Sequence, residues 1–380
     1  MAGSVREPVG EELGVGVVGF GWMGQVHARA YARLPHHFPR LPRLPRLVAV
    51  ADPLPDRAEA ARRFGFERAL PSWRDLLEDP LVEAVSVTTP NDLHREIGVM
   101  TARAGKHLWI EKPVGRNADE TQAVATALAA GVQSTVGYNY RNAPAVTYAR
   151  ALIEAGRIGT VTHARFRLLT DYAADPGSVL SWRFRQASAG TGVLGDLVSH
   201  GIDLARHLLG EFDSVVADQA VFIPERPTAD GAVGQVENED WVGCLVRFAG
   251  GARASLEASR VSVAEQCNYG FEIHGTRGAV FWDFRRMGEL RVCTGDADQN
   301  QQVTTVQAGP GQGEFQSFQP GAGLAMSYDD LKVIEAANFL RSVAAGRPLG
   351  PTIHDAVRAA LAVDAIAESA RTGRWTRVPS

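Results

Sequence analysis

The chain has 380 residues, of which 45% are hydrophobic and 22% charged, a length for two domains and a composition that excludes wholesale disorder. A formal net charge of −4 gives no general attraction to nucleic acid or an anionic membrane, and no stretch approaches the roughly 20 apolar residues that span a bilayer. Cys244, Cys267 and Cys293 lie far apart without the spacing of a structural metal site, which fits a reducing cytoplasm.

Residues 1–12 carry acids and Pro8 rather than the basic start and apolar run of a secretory signal, and read as a short disordered leader. An apolar strand over 13–20 then runs straight into Gly19-Phe20-Gly21-Trp22-Met23-Gly24 and a helix over 25–34. A proline-punctuated loop through Pro39, Pro42 and Pro45 leads to a second strand, Leu47 to Ala51, which ends on Asp52. Helices over 57–64, 73–77, 93–104 and 119–130 alternate with strands over 84–88, 107–110 and 134–138. That alternation implies right-handed crossovers and a parallel sheet covered on both faces.

Beyond Arg141 the pattern changes. After a helix over 145–155, Ala164, Phe166 and Leu168 alternate with His163, Arg165 and Arg167, the period of a strand in an antiparallel sheet. Similar runs span 214–223, 241–248, 252–261, 269–274 and 279–284, with hairpin turns at 249–251 and 275–278. Residues 295–323 are polar and rich in Gly and Gln, a long loop, and helices over 328–345 and 353–369 finish the chain. The domain boundaries expected are therefore 13–140 and 141–380.

A strand-to-helix turn carrying Gly19, Gly21 and Gly24 is suited to a dinucleotide: a tight turn, close approach of backbone to a pyrophosphate, and close helix–strand packing. Phe20, Trp22 and Met23 share that turn. Asp52 supplies an acid for a ribose hydroxyl, favouring NAD(H), while nearby Arg57 keeps NADP(H) open. Thr88, Thr89, Pro90, Asn91 and His94 follow the third apolar strand, and Glu111 and Lys112 follow the next, both at the sheet edge where such folds bind ligands. Asn139, Tyr140 and Arg141 make a third contribution to that edge. Only three of the 39 basic residues are lysines, Lys106, Lys112 and Lys332, so a retained lysine can mark chemistry that arginine cannot perform.

In the second half, Asp196, His200, Asp203 and His207 fall on one helical face. At a spacing of i and i+4, Asp196 can orient His200 and stabilise its protonated form. Three readings of this face stay open: a solvated surface, a metal site, and a catalytic pair in which His200 takes a hydroxyl proton.

The set GFGWMG, TTPNDLH at 88–94, EKP at 111–113, NYR at 139–141, D-x-x-x-H at 196–200 and SARTG at 369–373 resembles the Gfo/Idh/MocA (glucose-fructose oxidoreductase/inositol dehydrogenase) family of NAD(P)-dependent oxidoreductases. The resemblance covers nearly the whole chain. It implies an α/β protein with an N-terminal Rossmann doubly wound parallel sheet and a C-terminal α+β domain holding a large, mostly antiparallel open sheet. It further implies a homodimer or homotetramer and catalytic Lys112, Asp196 and His200; the compartment expected from the cysteines and the N-terminus is the cytoplasm, and no metal is expected. Trp182 and Arg183 resemble a pair that approaches cofactor or substrate in some members, and Tyr140 and Arg141 join the expected substrate contacts. The activity implied is hydride transfer between NAD and a secondary alcohol of a sugar, cyclitol or sugar derivative. A redox-neutral, NAD-dependent glycosidase and a non-catalytic dinucleotide-binding sensor remain the alternatives.

Overall fold

A computed structural model describes residues 11–295 and 300–379. In chain order its strands and helices begin β1 (Glu11–Val18), α1 (Trp22–His37), β2 (Arg43–Ala51), α2 (Pro55–Arg63), β3 (Arg68–Leu70), α3 (Trp73–Glu78) and β4 (Ala84–Val87). There follow α4 (Asn91–Arg103), β5 (His107–Ile110), α5 (Ala118–Ala127), β6 (Ser134–Val136) and α6 (Pro144–Glu154). The second half contains β7 (Val161–Leu169), α7 (Gln186–Ala189), α8 (Ser199–Leu209), β8 (Phe212–Ala220), β9 (Glu225–Pro227) and β10 (Val233–Gln235). It continues with β11 (Trp241–Phe248), β12 (Arg253–Ser259), β13 (Asn268–Gly275), β14 (Gly278–Asp283), β15 (Glu289–Thr294) and β16 (Thr304–Gln307). The last elements are α9 (Tyr328–Ala345), α10 (Ile353–Thr372) and β17 (Thr376–Arg377).

The first six strands form a parallel sheet in the order β3-β2-β1-β4-β5-β6. Its strand order reverses direction beside β1, so the loops after β1 and β4 diverge and leave a crevice at their carboxyl ends. The second sheet has nine strands in the order β16-β15-β14-β13-β7-β12-β11-β8-β17, antiparallel except where β7 meets β12. Alternation along β7 places Ala164, Phe166 and Leu168 in the core and leaves His163 and Arg165 exposed. Both expected hairpins form, β11 with β12 and β13 with β14.

Several boundaries differ from the sequence expectation. Residues 1–10 of the expected leader lie outside the described residues, but Glu11 and Glu12 belong to β1, paired with Arg43 and Leu44. Arg43 holds that extension in place by binding the Glu83 carboxylate at 2.8 Å. The first helix runs on to His37 with Pro35 inside its last turn, and the Phe38 N–H still caps Leu34 O at 2.8 Å. Pro45 lies within β2 rather than in a loop, and the β1–β2 register shifts between Val15 and Gly16. β15 lies outside the expected strands; Leu290 and Val292 alternate inward along it. The expected loop over 295–323 contains β16 and a short 3-10 turn, Phe315–Ser317, pinned by buried Phe315, while 296–299 lie outside the described residues.

The chain returns to its first sheet at the end. Val333, Ile334, Ala336, Ala337, Phe339 and Leu340 of α9 share a buried cluster with Leu13, Val15, Val17, Tyr31 and Trp109. Each large side chain buried this way contributes roughly 1.5–3 kcal/mol. Arg29 and Arg33 of α1 clamp the helix start through Asp329 and Asp330.

Candidate active site

The nucleotide edge is built on the β1–α1 turn. Gly19 adopts φ +85°, and its N–H donates to Ala51 O at 2.8 Å, while Thr88 Oγ1 donates to Gly19 O at 2.6 Å. A Cβ on Gly24 would lie 2.2 Å from Gly19 O, so helix and turn touch only because that side chain is absent. A Cβ on Gly21 would meet nothing nearer than Arg57 Nη1 at 3.8 Å, leaving a backbone-lined cradle. The first turn of α1 has no acidic residue and no side-chain cap, so its amide N–H groups are available to an anion. Asp52, 3% exposed, accepts from Phe20 N at 2.7 Å and Leu54 N at 3.0 Å, with Arg57 at 3.4 Å. Trp22 stacks on Tyr328 with centroids 5.8 Å apart, and Met23 Sδ meets the Tyr328 hydroxyl.

Other residues expected at this edge hold its loops instead of facing outward. Nitrogens of His94 lie 2.8 Å from Thr89 O and 2.7 Å from Pro113 O, so the ring bridges the β4 and β5 loops; burial lowers its pKa. Asn91 Nδ2 donates to Ala189 O at 3.0 Å, tying α4 to α7, and Pro90 caps α4. Glu111 is buried against His27 and Lys332. Asn139 is fully enclosed with both amide atoms unpartnered, and Thr89 Oγ1 is likewise orphaned. Unpaired buried polar groups are costly, and the orphaned Thr89 hydroxyl, whose Cγ2 lies against the Gly19 turn, suits a dinucleotide bound at the open glycine cradle and fixed carboxylate.

Lys112 enters after β5 with a cis peptide to Pro113. Its Nζ donates to Asp196 Oδ1 at 2.8 Å and to Asp196 O at 2.7 Å. Tyr172 donates to the other carboxylate oxygen at 2.9 Å. Burial would raise the Asp196 carboxyl, but the Lys112 ammonium, helped by Arg183 and Tyr172, holds it well below the usual range. The pair stays open to a ligand, with side chains 13% and 34% exposed.

The expected contact in which Asp196 accepts from His200 is not made, and the helical geometry explains why. Leu194–Val198 forms a π-helical turn that widens the backbone before α8 begins, so the ordinary i,i+4 contact does not apply. Glu239 fixes this turn by accepting from Leu194 N at 2.9 Å. His200 is 8% exposed, set edge-on against Tyr140 at 4.9 Å, with its carbonyl accepting from Tyr269. Burial, and then the Lys112 ammonium, push the imidazole pKa well below its ordinary value, so the ring is neutral rather than stabilised as a cation. Its Nδ1 is buried without a partner.

The remaining members of that face are structural, and the face is not a solvated one. Asp203 is buried and bound through both oxygens to Arg141, which also reaches Asp355 at 3.3 Å. Arg141, expected at the substrate, is therefore a strut between helices. His207 accepts from Arg150 at 3.0 Å. With Asp196 bound to Lys112 and Tyr172, the face does not assemble a metal ligand set. Trp182 and Arg183 lie in a 3-10 turn, the guanidinium 4.6 Å over the indole, and Asn238 anchors the Arg183 carbonyl. Tyr172 and Tyr328 were not anticipated; both are brought in by long-range packing that no local spacing signals.

A sheet of this order, with a glycine turn, a fixed acid and a neutral imidazole beside a lysine–carboxylate pair, defines a nicotinamide-dependent oxidoreductase. Residues 13–138 match the family described as "Oxidoreductase family, NAD-binding Rossmann fold", and 146–281 match the GFO/IDH/MocA C-terminal domain. The chain belongs to the GFO/IDH/MocA family and is an NAD-dependent oxidoreductase. It is 40% identical to a levoglucosan dehydrogenase of Pseudarthrobacter phenanthrenivorans, covering 97% of this chain and 99% of that one. Against an inositol 2-dehydrogenase of Rhizobium meliloti it is 32% identical over 74% of this chain and 78% of the relative. A solved levoglucosan dehydrogenase in complex with NADH has a TM-score of 0.94 at 40% identity, covering 97% of this chain and all (100%) of that one.

Proposed function

We propose that this oxidoreductase oxidises a secondary hydroxyl of a pyranose-type polyol, with anhydrosugars such as levoglucosan the first substrates to test. The single observation that carries the mechanism is the Lys112–Asp196 pair open to the cleft beside a neutral, enclosed His200. Lys112 hydrogen-bonds the reacting oxygen and stabilises its alkoxide character. His200 accepts the hydroxyl proton at Nε2, the ring nitrogen that the fold leaves open, while Nδ1 is sealed. Asp196 holds the Lys112 ammonium in place, and Tyr172 holds Asp196. NAD, when bound, supplies the hydride acceptor; Gly21, Asp52 and the first turn of α1 would hold it. Similarity to levoglucosan dehydrogenase over nearly the full length supports the anhydrosugar reading.

The assay is the absorbance of reduced nicotinamide while the protein is offered NAD with levoglucosan, inositols, monosaccharides and glycosides. Turnover of inositols but no anhydrosugar refutes the substrate assignment. We also propose a cytoplasmic homo-oligomer. Free thiols at Cys244, Cys267 and Cys293 fit that compartment, and a sheet face with Leu245 53% exposed fits assembly, to be measured by light scattering. No helix of the described residues is long and apolar enough to cross a membrane.

A further inference from the structure

Arginine fills nearly every basic position of this chain, yet its three lysines are withdrawn from solvent: Lys106 is 9% exposed, Lys332 0%, and the Lys112 side chain 13%. Lys106 binds the carbonyls of Asp79 and Val82, and Lys112 stands in the active site. Lys332 has no part in the chemistry described so far. Its Nζ lies 2.5 Å from Glu111 Oε1 and 3.0 Å from Glu335 Oε1. Glu111 Oε1 is also 3.0 Å from His27 Nε2, and Trp109 donates to Glu335 at 2.6 Å while its ring stacks on His27. His27, Glu111 and Glu335 are grouped closely enough to hold a cation, and the Lys332 ammonium is that cation.

Burying two carboxylates and an ammonium is costly, and apolar side chains of the same volume commonly stabilise a junction at least as well. The placement of the cluster supplies another use for it. Glu111 immediately precedes Lys112, and its N–H is fixed to Val87 O. Its carboxylate lies against Gly137, where a Cβ would come within 2.4 Å of Oε2. Burial would raise the Glu111 carboxyl, but the Lys332 ammonium, with His27, keeps it below the usual range, whereas burial lifts Glu335 to about 7. The shorter of the two ammonium contacts is the one to Glu111, 2.5 Å against 3.0 Å. Along α9, Tyr328, Lys332 and Glu335 are spaced i, i+4 and i+7 on one face. That face meets the Trp22 turn, the Tyr140 wall beside His200, and the residue behind Lys112.

We propose that Lys332 is a positioning residue for the active site: bridging Glu111 and Glu335, it anchors the main chain from which Lys112 reaches Asp196. The proposal rests on the reading of Lys112 as the group that binds the reacting oxygen. Lysine differs from arginine here in size: its compact ammonium, on a fully buried side chain, reaches both Glu111 Oε1 and Glu335 Oε1.

With three lysines in the chain, protein carrying lysine labelled with carbon-13 at Cε gives three side-chain signals, assigned by Lys106→Arg and Lys112→Arg. The variants are Lys332→Met, and Lys332→Met combined with Glu335→Gln. The second removes one carboxylate together with the ammonium, keeps an acceptor for Trp109, and lets His27 take a proton opposite Glu111. In the folded variant the Lys112 signal moves and kcat falls on the order of 10- to 100-fold, with NADH affinity and substrate KM changed by less than about twofold. An unmoved Lys112 signal, unchanged kcat, or loss of fold in both variants overturns the proposal and leaves the cluster a purely structural one. Should the wild-type protein oxidise no polyol, the functional reading fails, and the Lys112 signal still decides whether Lys332 positions it.

Discussion

Two glycines of the β1–α1 turn are predicted to fail in different ways when each gains a methyl group. At Gly21, φ −71° and ψ −161° suit alanine, and the nearest atom to a Cβ is 3.8 Å away. Reduced entropy of the unfolded chain stabilises Gly21→Ala by about 0.4–1 kcal/mol, and the poorer helix cap opposes it by a similar amount. The unliganded protein should therefore change by less than about 1 kcal/mol. The methyl group nevertheless fills the cradle for the diphosphate, and a 100-fold loss of affinity, about 2.7 kcal/mol, is expected. At a NADH concentration 100 times the wild-type Kd, the wild type gains about 2.7 kcal/mol from ligand, and the variant about 0.4. Gly24→Ala inverts the pattern, because its Cβ would meet Gly19 O at 2.2 Å and the backbone must move, at a cost of about 1–3 kcal/mol or more. Thermal unfolding of each protein with and without NADH separates the cases. A ligand-induced shift of wild-type size in Gly21→Ala, or a loss of unliganded stability equal to that of Gly24→Ala, would refute the assignment of the cradle.

Lys112→Met should lower kcat on the order of 100- to 1000-fold while NADH titrations remain close to wild type; comparable turnover would remove Lys112 from the mechanism. Asp52→Asn keeps the acceptor for Phe20 N–H but removes the charge, so the NADP-to-NAD ratio of kcat/KM should rise about tenfold, measured with both cofactors. Because burial and then Lys112 hold His200 below its ordinary pKa, its base form persists as pH falls through 6.5, and the acid limb of kcat/KM should lie below that value. A limb at 6.5 or above, abolished by His200→Asn, contradicts the neutral, enclosed ring. His207, lowered to about 3 chiefly by burial, is not protonated in the folded state when its unfolded counterpart begins to be at 6.5. Its contribution is complete above pH 6.5 and declines as pH falls toward 3, by at most about 5 kcal/mol, so His207→Leu should flatten the stability curve over that window.

The parts legible in the sequence are those whose physics is local. Gly19, Gly21 and Gly24 announce a turn because their spacing is itself the geometry, and Ala164, Phe166 and Leu168 announce a strand because each neighbour along it faces the other way. The Asp196–His200 contact failed for a local reason that residue spacing conceals: a π turn changes which side chains meet, and it forms because Glu239, 45 residues away, takes the Leu194 N–H. Arg141 reads as a ligand from its place beside Asn139 and Tyr140, but Asp203 and Asp355 claim it from distant helices. Tyr172 and Tyr328 carry no motif at all, and the scarcity of lysine marks Lys332 without saying what it meets. The place of each becomes visible only when separate elements are brought together around Lys112, Trp22 and Glu111.

The route of α9 also bears on how the protein is made. The nucleotide-binding sheet is synthesised first, yet Phe339, Leu340 and their neighbours, which cover Leu13, Val15 and Trp109, leave the ribosome some 200 residues after the last strand of that sheet. Until then, one apolar side of the early half faces water and invites chaperone capture or association between nascent chains. A fragment ending at residue 140 would keep every glycine of the dinucleotide turn and still lack the wall that lets the half be a soluble body.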